Sequence, residues 1–271
     1  ITSQVRDGDT VVVDGYRGIV VINPDDETLR AYELKLKRDL AERERFRSIA
    51  KLPAVTLDGV RIEVAANIGD PAEVYLALEN GADGIGLLRT EFLVMGASEL
   101  PSEDKMAAEL GKIVKRMSGK PVIIRTFDIG GDKPVPCLPM PREMNPFMGL
   151  RGIRLTLEHR ELFKRQLRAI LRCTKWGGIK IMFPMVSLVE EVVEAKRILE
   201  EAARELREEG VEVGSYEVGI MVETPAAALM VEAFADHVDF FSIGTNDLTQ
   251  YTLAVDRTNE HVARIFDHLH P

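Results

Sequence analysis

Short apolar runs rich in β-branched residues recur along the chain beyond residue 54, and charged segments typical of helices separate them. The apolar runs are Ile62–Ala66, Gly84–Leu88, Val122–Arg125, Ile179–Met185, Val218–Val222 and Phe240–Ile243. Each run is almost continuously hydrophobic instead of alternating, which indicates strands that are buried on both faces. Six strand-then-helix units in succession predict an α/β fold with a parallel sheet.

Two architectures fit such a sheet, a doubly wound fold and a closed (β/α)8 TIM barrel. Arg89, Arg125, Glu223 and the pair Asn246-Asp247 lie at or just past the carboxyl ends of predicted strands. In a barrel those ends converge on the face that carries the chemistry. A doubly wound sheet usually has a glycine-rich phosphate turn after its first strand, and the first predicted strand here is not followed by one. The pattern favours a TIM barrel with its C-terminal strands missing.

The beginning of the chain is organised differently. Two β-branched runs, Thr10–Val13 and Ile19–Ile22, predict a β-hairpin. Because two strands alone are not independently stable, we expect residues 1–29 to be the end of a domain that lies mostly elsewhere. Residues 30–52 are charge-dense and predict a linker helix, which leaves residues 53–271 for the barrel domain.

Composition narrows the range of functions. The 271 residues are 45% hydrophobic and 29% charged, which is typical of a globular protein, and their longest apolar runs are too short for a membrane helix. A net charge of −9 argues against binding to a nucleic-acid backbone, although a pocket on an acidic protein can still be locally basic. The two cysteines, Cys137 and Cys173, lack the spacing of a zinc site or a disulfide framework.

Three arginines, Arg89, Arg125 and Arg257, end or follow predicted strands. Converging guanidinium groups suit a phosphate or a carboxylate, because each offers a planar fork of donors. The alternative is that each arginine only pairs with a neighbouring acid such as Glu91 or Asp128. Three arginines on one predicted face favour an anion site.

Two carboxylates, Glu223 and Asp247, also follow predicted strands and resemble the protein ligands of a Mg²⁺ site. Helix capping is the alternative role for Asp247. Asn246 offers an amide for a substrate oxygen. Arg151 lies close in sequence to one of the three arginines and is either a further member of their anion site or a surface helix charge. The segment Gly130–Lys133 is only a weak phosphate-loop signal, because it lacks the lysine-serine or lysine-threonine ending of a nucleotide loop.

Five segments together resemble Enzyme I of the phosphoenolpyruvate:sugar phosphotransferase system: GIGLLRTEF, VIIRTFDIGGDKP, NPFMGLRGIR, GIMVETPAA and FFSIGTNDLTQYTLAVDR. The likeness runs across the whole chain. Pyruvate phosphate dikinase and phosphoenolpyruvate synthase are similar at RTE, VET and GTNDLTQ, so a relative of those enzymes is the alternative. A non-catalytic module that binds phosphoenolpyruvate is the alternative from another functional class.

The resemblance assigns substrate contacts to residues of the matching segments, here Arg89, Arg125, Arg151, Asn246, Asp247 and Arg257. The arginines of RTE, RTFDIGGDK and AVDR would hold the phosphate of phosphoenolpyruvate, and Arg151 its carboxylate end. The glutamate of MVETP and the aspartate of GTND, here Glu223 and Asp247, would bind Mg²⁺.

The resemblance also implies a reaction, the Mg²⁺-dependent transfer of a phosphoryl group from phosphoenolpyruvate to an enzyme histidine and on to the phosphocarrier HPr for sugar uptake. It implies a cytoplasmic protein that is a homodimer when intact, in which residues 1–29 end a swivelling phosphohistidine domain. The family's histidine loop is not found in this sequence, and its proton-donating cysteine would follow Pro271. We therefore expect an internal piece without catalytic residues of its own, inactive by itself.

Overall fold

The computed structural model describes residues 2–131, 133, 135–140 and 142–271, and it divides into two units, Ile1–Pro53 and Ala54–Pro271.

The first unit contains the predicted hairpin and helix. Strands β1 (Val11–Asp14) and β2 (Ile19–Ile22) pair antiparallel, and helix α1 spans Asp26–Ile49. The helix begins earlier than the sequence predicted, because the side chain of Asp25 caps it by accepting a hydrogen bond from the Thr28 N–H at 2.8 Å. Within this unit, Lys35 Nζ pairs with Asp14 Oδ2 at 2.5 Å and so links the helix to the hairpin.

The second unit is built on a parallel sheet that, among the described residues, has six strands. After a short hairpin of β3 (Ala54–Val55) and β4 (Arg61–Ile62), the sheet strands are β5 (Ala66–Ile68), β6 (Ile85–Arg89), β7 (Val122–Arg125), β8 (Ile179–Phe183), β9 (Glu217–Val222) and β10 (Phe240–Ile243). Their spatial order follows the chain from β5 to β10 without reversal. A doubly wound sheet reverses its order at a switch point, so this sheet is instead a curled half-barrel, and the predicted parallel α/β sheet is confirmed.

The prediction of the first sheet strand at Ile62–Ala66 is wrong. Ile62 lies in the β3–β4 hairpin, opposite Ala54, and the sheet begins at Ala66. The physical reason is burial: Ile62 and Val64 remain about half exposed, whereas Ile68 is buried in the core. The apolar residues of the run predicted a strand buried on both faces, but only the last of them, Ala66, belongs to the sheet.

Helices connect the strands. They are α2 (Glu73–Glu79), α3 (Glu103–Met117), α4 (Ile153–Glu158), α5 (Arg160–Leu171), α6 (Val189–Glu208), α7 (Pro225–Leu229), α8 (Val231–Ala235) and α9 (Thr245–Leu253). The main core lies between the sheet and the apolar faces of α3, α5 and α6. A smaller cluster of Leu87, Met182 and Met221 fills the other face of the sheet. In the described part of the chain, helices that combine the length and the apolarity needed to cross a membrane are absent.

Candidate functional site

The carboxyl ends of the strands bring the predicted polar residues to one edge of the sheet. Arg89 and Arg125 end β6 and β7 and lie side by side in the strand register. Glu223 directly follows β9, and Asp247 lies in the first turn of α9, just after β10. Parallel strands therefore place these groups together although they are far apart in sequence.

Arg125 is buried and paired with both acids that the sequence analysis named as alternative partners. Its Nη2 donates to Glu91 Oε1 at 2.9 Å, and its Nη1 lies 3.3 Å from Asp128 Oδ2. Glu91 also accepts the backbone N–H of Asp128 at 2.9 Å. The two acids thus fix the orientation of the Arg125 guanidinium. Arg125 therefore forms the ion pairs of the alternative prediction and also lies on the predicted strand-end face.

Asp128 lies at the centre of the site and pairs with three basic side chains. Its fully buried carboxylate accepts hydrogen bonds from Arg151 Nη2 at 3.1 Å to each oxygen and from Lys133 Nζ at 2.8 Å. Burial acts to raise the pKa of Asp128, but the charges of Arg125, Arg151 and Lys133 outweigh it and hold that pKa well below its usual range. Asp128 therefore stays ionised and joins β7 to the segment that contains Arg151.

Arg151 is almost completely buried, so the alternative of a surface helix charge is wrong. Its guanidinium lies against the ring of Phe147, and its Nη1 is 3.8 Å from Asp247 Oδ1. The nearby Tyr251 hydroxyl donates to the carbonyl of Phe147. Arg151 thereby links the loop after β7 to α9. Of the segment Gly130–Lys133 noted in the sequence, Asp132 lies outside the described residues.

Glu223 is buried with one oxygen anchored. Its Oε1 accepts the Met185 N–H at 2.6 Å. Burial, reinforced by the negative charges of Asp128 and Asp247, raises the pKa of Glu223 to about 8. The other oxygen faces the start of α9, where a Cβ on Gly244 would lie only 2.7 Å from Glu223 Oε2. A glycine at this position therefore makes room for the carboxylate.

Asp247 is buried between two arginines. Its Oδ1 is 3.8 Å from a guanidinium nitrogen of Arg151 and 3.8 Å from one of Arg257. The predicted alternative of helix capping is wrong, because α9 is preceded by Gly244 and lacks a side-chain cap. Arg257 is partly exposed and is held by its backbone N–H, which donates to Gln250 Oε1 at 3.2 Å.

We refer to the connected charged side chains as the strand-end cluster, which consists of Glu91, Arg125, Asp128, Lys133, Arg151, Glu223, Asp247 and Arg257. The two other predicted residues, Arg89 and Asn246, are exposed beside it. Within the described residues, their side chains form no hydrogen bonds or ion pairs with protein groups. They are available to a ligand at the edge of the cluster.

Several buried atoms of the cluster suit a ligand that carries both a cation and anionic oxygens. Among the described residues, Asp247 Oδ1, Arg125 Nε and Arg257 Nη1 are buried without hydrogen-bond partners. Such a group costs about 1–3 kcal/mol when left unsatisfied. Groups of three or more His, Cys, Asp or Glu side chains placed to hold a metal are absent from the described part of the chain. Mg²⁺ nevertheless fits, since it is commonly bound by one or two carboxylates together with water and substrate oxygens.

Sequence reasoning missed Gln166 altogether and treated Glu91 and Asp128 only as possible partners. Gln166 is fully buried on α5, between Phe163 and Leu167 on the face that packs against the sheet. An amide within an otherwise apolar helix face was the signal, because a buried polar group must find partners.

Comparison with known proteins identifies a matching family model and similar proteins. The family model described as "PEP-utilising enzyme, PEP-binding domain" matches residues 43–271. Proteins named phosphoenolpyruvate-protein phosphotransferase are similar to the whole chain: 52% identity over 272 residues in Geobacillus stearothermophilus, 49% over 271 in Bacillus subtilis (strain 168) and 47% over 272 in Staphylococcus aureus. The alignments cover 100% of this chain but 47–48% of these relatives, so the chain spans about half their length.

Proposed function

Because the chain belongs to the family of phosphoenolpyruvate-utilising enzymes, we propose that it carries the phosphoenolpyruvate- and Mg²⁺-binding site of a phosphoenolpyruvate–protein phosphotransferase. The strand-end cluster is the observation that carries this proposal. In it, Arg125, Arg257 and the neighbouring Arg89 are the donors for the phosphate, and Arg151 is the donor for the carboxylate. Glu223 and Asp247 are the metal ligands, and Asn246 contacts the substrate.

The charge of the cluster supports an anionic ligand. With Arg89 beside it, the site has five basic and four acidic side chains, a small excess of positive charge. Phosphoenolpyruvate carries a phosphate and a carboxylate, so a single Mg²⁺ leaves it with an excess of negative charge. The complex of substrate and metal is therefore complementary to the cluster, and burial strengthens that attraction because water screens it poorly.

The protein's part in the reaction is positioning and charge stabilisation. A phosphoryl group in transfer has a loose transition state with charge spread over its oxygens, and fixed guanidinium groups stabilise that charge without reorganising. Glu91 and Asp128 keep Arg125 in a single orientation, which supplies this preorganisation. Mg²⁺, when bound, would neutralise charge on the phosphoryl and pyruvate oxygens.

For the whole protein, we propose transfer of the phosphoryl group to a histidine of a swivelling domain and then to HPr, in a cytoplasmic homodimer with a closed TIM barrel. Residues 1–29 would end that domain and residues 30–52 would form the linker. Cys173 does not supply the proton to the product, because it is buried beside the carbonyls of Ala107 and Ala169, away from the cluster, and burial raises the pKa of its thiol to about 12. The names of the relatives favour this activity over that of a dikinase or synthase.

The test is calorimetric titration of the chain with phosphoenolpyruvate, with and without Mg²⁺. We expect Mg²⁺-dependent binding that Arg257→Gln weakens at least tenfold and that Arg125→Ala abolishes. Arg116→Ala is the matched control, because Arg116 lies at the end of α3 remote from the strand ends and contacts Tyr75. A folded chain that binds no phosphoenolpyruvate, or one whose affinity Arg257→Gln leaves unchanged, would refute the proposed function.

A further inference from the structure

Gln166 connects the two strand ends that carry Arg89 and Arg125. Its Nε2 donates to Thr90 Oγ1 at 2.9 Å, and the Thr90 hydroxyl donates in turn to the carbonyl of Arg125 at 2.8 Å. Its Oε1 accepts the backbone N–H of Phe127 at 3.1 Å. The Gln166 side chain therefore contacts the residue after Arg89 and the backbone just past Thr126, and Thr90 extends the chain of bonds to the carbonyl of Arg125.

These bonds lie just beyond the last pair of the ladder between β6 and β7. The pairing of β6 with β7 shifts register between Ile85 and Leu88, and its last pair is Arg89 with Arg125. Beyond that pair, the Thr126 N–H donates to the Met182 carbonyl of β8 at 3.0 Å and not to β6. Among the described residues, the end of β6 is therefore joined to β7 only through side chains. The chain of bonds through Thr90 and Gln166 replaces the ladder at this point.

From this geometry we propose that Gln166, acting through Thr90, is a positioning residue that sets the spacing of the Arg89 and Arg125 strand ends for the phosphate of the substrate. The inference rests on the proposed function for the identity of that substrate. Neither residue touches the substrate itself. Gln166 and Thr90 are both completely buried, so their hydrogen bonds are not exchanged with water and hold one arrangement.

The alternative is that the hydrogen bonds of Gln166 only pair its own buried amide and do not position the strand ends. Its neighbours on α5, Phe163 and Leu167, are apolar and fully buried, so a leucine at position 166 would suit the packing as well. If the amide is purely structural, its replacement lowers the stability of the chain and leaves the affinity of the site unchanged. A positioning residue predicts a loss of affinity in addition.

The experiment compares Gln166→Leu, Thr90→Val and Thr90→Ser in the full chain. Thr174→Val is the matched control, because it also removes a buried hydroxyl. That hydroxyl donates to the Leu171 carbonyl and accepts the Gly214 N–H. It lies before the start of β8, at the opposite end of the strands from Arg89 and Arg125. The titrant is phosphoenolpyruvate with Mg²⁺. We expect Kd to rise about tenfold in Gln166→Leu and in Thr90→Val, to return to within about twofold of the unsubstituted value in Thr90→Ser, and to stay unchanged in the control.

The double variant Gln166→Leu with Thr90→Val sharpens the test. If both residues act in one chain of bonds, the second substitution adds little to the first, whereas independent effects multiply. Affinities within twofold of the unsubstituted chain, in variants that are destabilised as much as the control, would overturn the positioning role.

Amide hydrogen exchange separates this inference from the proposed function. The Thr126 N–H donates to the Met182 carbonyl of β8 and not to Gln166, so its exchange reports how firmly the end of β7 is held, without any ligand. Positioning predicts faster exchange of that amide in Gln166→Leu and Thr90→Val but not in the control. If the unsubstituted chain binds no phosphoenolpyruvate, the proposed function fails. An unchanged Thr126 exchange rate in Gln166→Leu and Thr90→Val would overturn the positioning role.

Discussion

Replacing Asp128 by asparagine removes one buried charge from the centre of the strand-end cluster. The carboxylate is fully buried and faces Arg125 at 3.3 Å, Arg151 at 3.1 Å and Lys133 at 2.8 Å. Asparagine keeps the shape, and its backbone N–H still donates to Glu91. The guanidinium groups lose their shared counter-charge while remaining buried.

The expected cost is large for a change of this size. Removing one partner from a buried ion pair typically destabilises a protein by about 3–5 kcal/mol. Because Arg125 retains Glu91 and Arg151 retains the more distant Asp247, we expect the lower end, a decrease of about 3 kcal/mol in the free energy of unfolding of the 54–271 unit at pH 7. The assay is urea denaturation of both chains, and Asp104→Asn, whose carboxylate is largely exposed, is the control.

The pH dependence provides an independent check. A carboxylate with a lowered folded-state pKa contributes stability that is fully present above its ordinary value of 3.8 and is lost as the pH falls through the folded-state pKa. The contribution of Asp128 to the difference between the chains should therefore shrink as the pH falls below 3.8. A difference under 1 kcal/mol at pH 7, or one that grows as the pH falls below 3.8, would refute this reading of the cluster.

Three further outcomes follow from particular contacts. Gly244→Ala places a methyl group 2.7 Å from Glu223 Oε2, so the Mg²⁺-dependent affinity for phosphoenolpyruvate should fall at least tenfold by calorimetry; an unchanged affinity would separate that carboxylate from the metal. Arg168→Ala removes ion pairs that bridge α5 to α3 and α6, and denaturation should show a loss of about 1–2 kcal/mol that shrinks in 1 M salt, whereas a salt-independent loss would indicate packing instead. A thiol reagent should label the partly exposed Cys137 in the folded chain and the buried Cys173 only after denaturation; rapid labelling of both would contradict the burial described here.

The fold could be predicted where local pattern and burial agree. The runs at Val122–Arg125 and Phe240–Ile243 became strands with the predicted bounds, and the parallel arrangement followed from the alternation with helices. The prediction failed at Ile62, where an apolar residue lies in a separate, half-exposed hairpin. Hydrophobic character alone does not specify which surface will cover a strand.

The candidate site was predicted through a rule of position: polar residues that follow strands of a parallel sheet meet at one edge. The rule located Arg125, Glu223 and Asp247, which lie in the cluster. It offered no means of finding Gln166, which is 76 positions from Thr90, or of choosing Glu91, 34 positions from Arg125, over other acids as the partner of that arginine. Those contacts arise only when strands and helices pack.

The sequence by itself determined the alternation of strands and helices, the strand-end location of the arginines and acids, and the family. These properties depend on near neighbours or on matching segments, so they can be read along the chain. Only the tertiary structure decided the sequential strand order, the burial of Arg151, and the linking of Arg125 and Arg151 through Asp128. The physical reason is that a buried charge is costly unless oppositely charged groups are paired with it. Those groups are distant in sequence, and they come into contact only when the core packs and excludes water.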